Sequence, residues 1–362
     1  MKILDVLHLK IEKREEVGLV WRILSIVIAL AAAFLISAFV IEAAGANYRE
    51  AFISLFIGAF GSWNAFTETL VKSIPLLFTG LATAIAFKGK IWTIGQEGQL
   101  FAGAIGGYWA YVSFHELPRL PLLLIITGAG FLAGAFYGWI PGILKARFDV
   151  DEVISTVMGN YIITYLLSLL LSGIGPWREP NSFYQQTPTV EKIAQYPILV
   201  PNTRLHVGFA LAIILAIIVY VIMERTPLGY EIRAFGSNPN AVRFKGVNIS
   251  RLYIVVMIIS GGLCGLAGVN ELFGVQYRLK LNLSPGYGYT GIIVAMLAEL
   301  HPLVIIPVSI LFGGLLHGSL RMQVITGVPT ASINAIQAII LLFFLTSQVL
   351  TKYRIRRVSD GS

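Results

Sequence analysis

The sequence predicts an all-α, polytopic integral membrane protein of about ten transmembrane helices, and three observations predict it. Hydrophobic residues make up 56% of the 362 residues and charged residues only 13%, whereas soluble domains carry about 25% charge. The apolar residues gather in runs near the ~20 residues that a helix needs to cross the hydrocarbon of a bilayer. The basic residues between these runs fall mostly on one side, as the positive-inside bias requires.

The first run, Val20 to Ile41, follows a basic leader of Lys2, Lys10, Lys13 and Arg14. It exceeds the ~7 to 15 residues of a signal-peptide core, so it reads as an uncleaved anchor. Further windows fall near 66–87, 98–114, 121–144, 153–173, 206–223, 252–270, 285–300, 303–320 and 333–350. Ten spans put both termini on one face, and a cytoplasmic N-terminus leaves outside only Arg49, Arg119, Arg178, Lys192, Arg204, Arg278, Lys280 and Arg321. The chain therefore reads as one transmembrane domain over 1–362 in the cell membrane, plasma or inner, with both ends cytoplasmic. Residues 1–19 form a cytoplasmic segment, 174–205 a proline-rich extracellular loop, and 224–251 a cytoplasmic loop. The net charge of +8 follows from the same bias and does not call for a nucleic-acid partner.

Glycines recur four apart at Gly130, Gly134 and Gly138, and at similar spacing at Gly261, Gly265 and Gly268. Such small residues let helix backbones approach one another in the bilayer. Gly286, Gly288 and Gly291 flank Tyr287 and Tyr289, which predicts a broken or re-entrant helix. A break of that kind survives at membrane depth where it faces protein or a watery cavity.

Several chemistries are excluded. No segment fits G-x-x-x-x-G-K-[ST]: Gly89-Lys90 is followed by Ile91 and has Ala84 where the first glycine belongs, so no phosphate loop is present. Ser260-Gly261-Gly262 lies inside an apolar run and is no nucleotide signature. Cys264 is the only cysteine, and His8, His115, His206, His301 and His317 are scattered. Neither a disulfide nor a metal cluster fits this pattern, and no catalytic residue or bound cofactor is expected.

Polar residues at membrane depth are costly and mark pathways or packed partners. Glu68 and Lys72, four apart, are expected to pair with each other. Trp92-Thr-Ile-Gly-Gln-Glu-Gly-Gln99 is a polar, glycine-broken stretch expected to fold back into the protein or to form a simple turn. Asn160 offers donors and an acceptor to a neighbouring helix or a solute. Asn270 and Glu271 are expected to be solvated at the interface. A carrier driven by an ion gradient would use Glu68, Glu97 or Glu271 for its proton, and a glycine-lined channel would need no docking segment.

Such a segment is nonetheless present. Thr226 is placed to cap a helix starting at Pro227 and leaving at Gly236, and Asn238 to cap a second one from Pro239 to Gly246. A polar N-cap, proline at N1 and glycine at the exit thus occur twice. So elaborate a connection suits docking to a cytoplasmic partner.

Gly80-Leu-Ala-Thr-Ala-Ile-Ala-Phe-Lys-Gly-Lys-Ile-Trp-Thr-Ile-Gly-Gln-Glu-Gly-Gln99, Asp151-Glu-Val-Ile-Ser-Thr-Val-Met-Gly-Asn-Tyr161 and Thr226 to Ala241 carry a family likeness, which continues through Ser260 to Gly268 and Tyr287 to Ala295. These stretches resemble the permease subunits of ABC importers in the ribose, branched-chain amino acid and nucleoside group, over roughly residues 50 to 345. Ile94 to Gln99 with Glu152 to Thr156 looks most like the nucleoside-type members; ribose or another sugar is the alternative solute. The resemblance implies a type II-like importer permease that works by alternating access. It also implies partners: a second permease subunit, identical or homologous, two ATPase subunits that hold the ATP and Mg, and an extracellular substrate-binding lipoprotein. Thr226, Pro227, Leu228, Gly229, Tyr230, Glu231, Arg233 and Phe235 would form the coupling helix. Trp92, Gln96, Glu97, Gln99, Asn160 and Tyr287 would line the solute pathway, with Asn160 bonding base or ribose and Tyr287 or Trp92 stacking on the base.

Overall fold

The computed structural model describes residues 9–13 and 19–357. In chain order the elements are β1 (Leu9–Lys13), α1 (Leu19–Ala43), α2 (Tyr48–Phe60), α3 (Trp63–Lys88), α4 (Gln96–Phe114), α5 (Arg119–Phe148), α6 (Glu152–Leu170), α7 (Gly208–Arg225), α8 (Pro227–Ser237), α9 (Pro239–Phe244), α10 (Ile249–Glu271), α11 (Tyr287–Leu297), α12 (Pro302–Thr326), α13 (Thr330–Lys352) and β2 (Tyr353–Arg357). The fold is helical as predicted, with one addition: β1 and β2 pair antiparallel, from Leu9 opposite Arg357 to Lys13 opposite Tyr353. Of the predicted N-terminal segment, residues 1–8 and 14–18, with Lys2 and Arg14, lie outside the described residues.

The chain forms two compact units, one of residues 59–317 and one of the described residues up to 58 and from 318 onward. In the second unit α1 packs along α13. The stretch Val27–Ala43 and α2 meet at 116° across a turn whose Gly45 has φ +83°, a conformation that glycine adopts without steric cost.

Among the described residues, six helices are long and apolar enough to cross a membrane: α3, α5, α6, α7, α10 extended to Gln276, and α12; the bent α1–α2 pair makes a seventh candidate. The ten predicted spans are therefore not all full-length. The stretch 285–300 was expected to cross, yet α11 has 11 residues, about 16 Å at 1.5 Å per residue, roughly half the hydrocarbon thickness. It starts after Gly286 (φ +96°) and ends where Glu299 and Leu300 take positive φ. The break expected from Gly286 and its neighbours is thus present, and it shortens the helix.

Within 59–317 the apolar stretch of α3 is 94% buried and that of α6 only 22%, so α3 is central and α6 lies at the periphery. The two glycine runs face each other. A Cβ on Gly134 of α5 would strike the Gly261 carbonyl of α10, and one on Gly265 would strike the Gly130 carbonyl; Gly103 of α4 abuts Gly265. Three helices thereby meet backbone to backbone, the arrangement that small residues permit in lipid. After α10 a single π-helical turn, Leu272–Gln276, precedes Tyr277 at φ 55°, a feature with no signal in the sequence. The 174–205 loop lies over the segment that follows: the amides of Tyr196, Val190 and Thr187 donate to the carbonyls of Phe273 (3.0 Å), Tyr277 (2.8 Å) and Leu279 (3.0 Å).

Candidate functional site

The polar stretch before α4 folds back into the protein. Gln96, Glu97 and Gln99 are buried, as are Ile91 and Thr93, while Trp92 remains 45% exposed with its ring edge-on to Phe87 at 4.7 Å. Asn160 of α6 organises this joint. Its Oδ1 accepts from the Gly98 amide at 2.8 Å, and its Nδ2 donates to the Ile94 carbonyl at 2.8 Å and to the Tyr289 hydroxyl at 3.2 Å. Glu97 Oε2 accepts from the Gly288 amide at 2.7 Å, which places a carboxylate at the N-terminus of α11, where unpaired amides and the helix dipole favour negative charge. A Cβ on Gly288 would collide with the Glu97 backbone, so glycine is what allows α11 to start there. Gln96 Nε2 donates to Thr83 Oγ1 at 3.1 Å. The structure thus brings Gln96, Glu97 and Asn160 to the start of α11, where Tyr287 is the first residue, with the carboxamide of Asn160 and the carboxylate of Glu97 turned to the protein itself; Trp92 packs on Phe87 and Gln99 lies between α4, α5 and α6.

Tyr287, expected as a stacking platform for the base, is 2% exposed. Its hydroxyl accepts from Lys72 Nζ at 3.2 Å, and that ammonium lies 5.9 Å from the ring centroid. The expected Glu68–Lys72 pair does not form. Glu68 instead forks onto Arg204 from the long loop, with Arg204 Nε donating to Glu68 Oε1 at 2.8 Å. A bidentate guanidinium–carboxylate geometry outcompetes an ammonium four residues along the helix.

Lys72, Arg204, Glu271, Gln276, Lys280, Asn282 and Tyr287 surround a cavity of about 420 Å³. Sequence reasoning missed it because Asn270 and Glu271 were read as solvated, whereas each is 1% exposed. The π turn is the cause: it carries Gln276 back so that its Nε2 donates to Glu271 Oε1 at 2.7 Å and to the Leu283 carbonyl at 2.7 Å. Gln276 Oε1 is buried without a hydrogen-bond partner. A second cavity of about 290 Å³, mainly apolar, lies between α4, α5 and α6 beside Gln99, Tyr137, Thr156 and Gly159. The Gln99 Oε1 is likewise buried and unpartnered. Among the described residues no three His, Cys, Asp or Glu side chains gather as metal ligands.

At the far side of α7, Thr226 Oγ1 accepts from the Gly229 amide at 3.3 Å with Pro227 at N1. Asn238 Oδ1 accepts from the Asn240 amide at 3.1 Å ahead of α9. The first helix ends at Ser237 and not at Gly236, because Gly236 serves a different need: a Cβ there would collide with the Lys88 carbonyl. Gly246 does take the left-handed conformation expected at a helix exit, with φ +82°. Within α8, Ile232 is buried and Tyr230 is 53% exposed. Leu228, Glu231, Arg233 and Phe235 are partly buried. Arg233 reaches back 3.4 Å to Glu224, which also takes Lys88 Nζ at 2.9 Å. Tyr230 and Glu231 line a cleft of about 240 Å³ with Val242, Lys245 and Val247 on its other wall, and Lys245 Nζ lies 5.2 Å from the Tyr230 ring centroid.

Comparison with known proteins supplies the biological frame. Residues 65–345 match the family described as branched-chain amino acid transport system, permease component. A guanosine ABC transporter permease protein of Bacillus subtilis is 34% identical over 90% of this chain and 92% of its own length. A nucleoside ABC transporter permease protein of Lactococcus lactis is 32% identical over 94% and 96%, and a glucose ABC transporter permease protein of Haloferax volcanii 32% identical over 91% and 88%. No solved structure matches the chain.

Proposed function

This chain belongs to the permease-component family of branched-chain amino acid transport systems, and from that premise we propose that it carries a nucleoside into the cytoplasm as the membrane subunit of an ABC importer. The near full-length similarity to a guanosine and a nucleoside permease carries the solute assignment. The glucose permease relative supports a second reading in which the solute is a sugar; ribose is shared by both chemistries.

The sequence has no phosphate loop, so the work of transport comes from partner ATPase subunits that hold the ATP and Mg, and this chain binds no cofactor. In this reading the chain pairs with a second permease subunit, receives solute from an extracellular binding lipoprotein and keeps both termini in the cytoplasm. The α8–α9 loop is the docking segment. Its caps fix two short helices, Gly229 and Gly236 seat α8 on the ends of α7 and α3, and the Tyr230–Lys245 cleft offers an apolar floor with charged edges. Such seating lets a displacement of α8 reach α3, the central helix. Arg233, paired with Glu224, which also holds Lys88, fixes α8 to the bundle, and Tyr230 and Glu231 are the groups presented to the motor.

The test is affinity purification of the chain with its partners in mild detergent, followed by reconstitution with guanosine, ribose and glucose as solutes. ATP-dependent uptake of one of them is expected. Glu231→Arg is expected to insert normally, to lower uptake at least tenfold and to lose solute-stimulated ATP hydrolysis. Stimulated hydrolysis at the unsubstituted rate would remove α8 from the coupling role.

A further inference from the structure

We infer that the cavity beside the long loop, between Lys72, Glu271, Gln276 and Lys280, is a solute-contact site for a neutral polyhydroxylated molecule, such as the ribose of a nucleoside or a free sugar. The inference rests on the proposed solute class and deepens it by naming a site.

Three properties of the cavity support this. Its volume of about 420 Å³ lies within the ~300–1,000 Å³ usual for small-molecule sites. Its walls carry both signs of charge. Glu68 and Arg204 neutralise each other, leaving the buried carboxylate of Glu271 among Lys72 and Lys280. A cation would meet two ammoniums, and an anion drawn to them would have to bring its charge against Glu271, so a neutral solute is the one that meets no like charge. Hydroxyl groups satisfy both kinds of wall, since each donates to a carboxylate or carboxamide oxygen and accepts from an ammonium.

The third property is an acceptor without a donor. Gln276 has both N–H groups engaged, one on Glu271 and one on the Leu283 carbonyl, and its Oε1 is buried without a partner. An orphaned buried acceptor beside a cavity calls for a donor from outside the chain, because leaving it unpaired is costly. The position of the site suits hand-over. The long loop contributes Arg204 to its wall and is anchored by backbone bonds to Phe273, Tyr277 and Leu279, on the chain segment between Glu271 and Lys280. A partner bearing on that loop would therefore act directly on the wall of the cavity.

The test uses the purified full-length chain in lipid nanodiscs. In an Asn282→Cys variant the new thiol stands exposed at the cavity, while Cys264 is buried. Guanosine or glucose is expected to slow its modification by a methanethiosulfonate reagent at least threefold, whereas guanosine monophosphate and glucose 6-phosphate at equal concentration leave the rate unchanged. Adding Glu271→Gln, which removes the negative wall, is expected to raise the concentration of neutral solute that half-protects at least tenfold and to let the phosphorylated one protect. Lys280→Gln, in the same wall, gives an independent variant, expected to raise the half-protecting concentration of the neutral solute about threefold. Absence of protection by either neutral solute, or a preference against phosphates that survives Glu271→Gln, overturns the site. Reconstituted ATP-driven uptake separates the two levels: uptake without protection refutes the site alone, and no uptake of guanosine, ribose or glucose refutes the proposed function beneath it.

Discussion

Two polar regions are embedded in the same apolar bundle, and they differ in where their hydrogen bonds go. In the joint around Asn160 and Glu97 the groups face backbone: the carboxamide spans Ile94, Gly98 and Tyr289, and the carboxylate caps α11. In the cavity around Glu271 and Gln276 an acceptor is left over and the walls enclose space. Both regions are rare and costly by composition, so polarity at depth does not by itself distinguish a structural knot from a solute site. The partners decide it. A satisfied group fixes the irregular backbone of a broken helix, and an unsatisfied one facing a void with charged and polar walls invites a polar ligand; Gln99 Oε1 is also unpartnered, but the cavity beside it is mainly apolar.

The comparison breaks most sharply at Asn160. Truncation in Asn160→Ala leaves the Gly98 amide and the Ile94 carbonyl buried without partners, at about 1 to 3 kcal/mol each. A loss of about 2 to 6 kcal/mol is expected, read as a clear drop in the thermal unfolding midpoint in detergent, with the solute ranking of the surviving protein unchanged. A changed ranking at unaltered stability would move Asn160 from the joint to the pathway.

The same conservative substitution in each region sharpens the contrast. Glu97→Gln keeps an acceptor for the Gly288 amide and removes the charge at the start of α11, so a stability loss of about 1 kcal/mol is expected. Glu271→Gln is expected to act on solute choice. Equal unfolding midpoints for Glu97→Gln and the unsubstituted chain, or identical solute profiles for Glu271→Gln, would erase the distinction.

What the sequence disclosed follows from range. The caps of α8 and α9 involve residues two or three apart, and the glycine seam is a periodic pattern, so both were legible. The short α11 was half legible, since Gly286 announced a break without giving the length that remained. Glu68 shows the limit: its local neighbour Lys72 was available, but its partner Arg204 arrives from a loop 136 residues away. The π turn that buries Glu271 leaves no compositional trace, and the cavity depends on that turn, so the site that departs furthest from expectation is also the one that local rules could not reach.

The smallest effect belongs to the long loop that contributes Arg204 to the cavity wall. Glu179 holds Arg278 and accepts from Gln186 Nε2 at 2.9 Å, and the hydrogen bond from Arg278 is the main cause that lowers its carboxyl below the ordinary carboxylate range, with Gln186 next. A depressed folded value means that this clasp contributes fully above the unfolded carboxylate pKa of about 4.3, and that its contribution is lost as pH falls through the folded value. The group is only partly buried, so the contribution is small and screened by salt. Hydrogen exchange of residues 179–187, corrected for intrinsic rates, is expected to quicken modestly between pH 5 and 3, and Glu179→Gln is expected to show the quickened rate already at pH 6. The joint around Asn160 carries no such partly exposed clasp, so exchange at 94–99 should stay slow across the same range. Parallel acceleration in both segments would mean that acid loosens the whole bundle, and that the loop is no more independent of the core than the joint is.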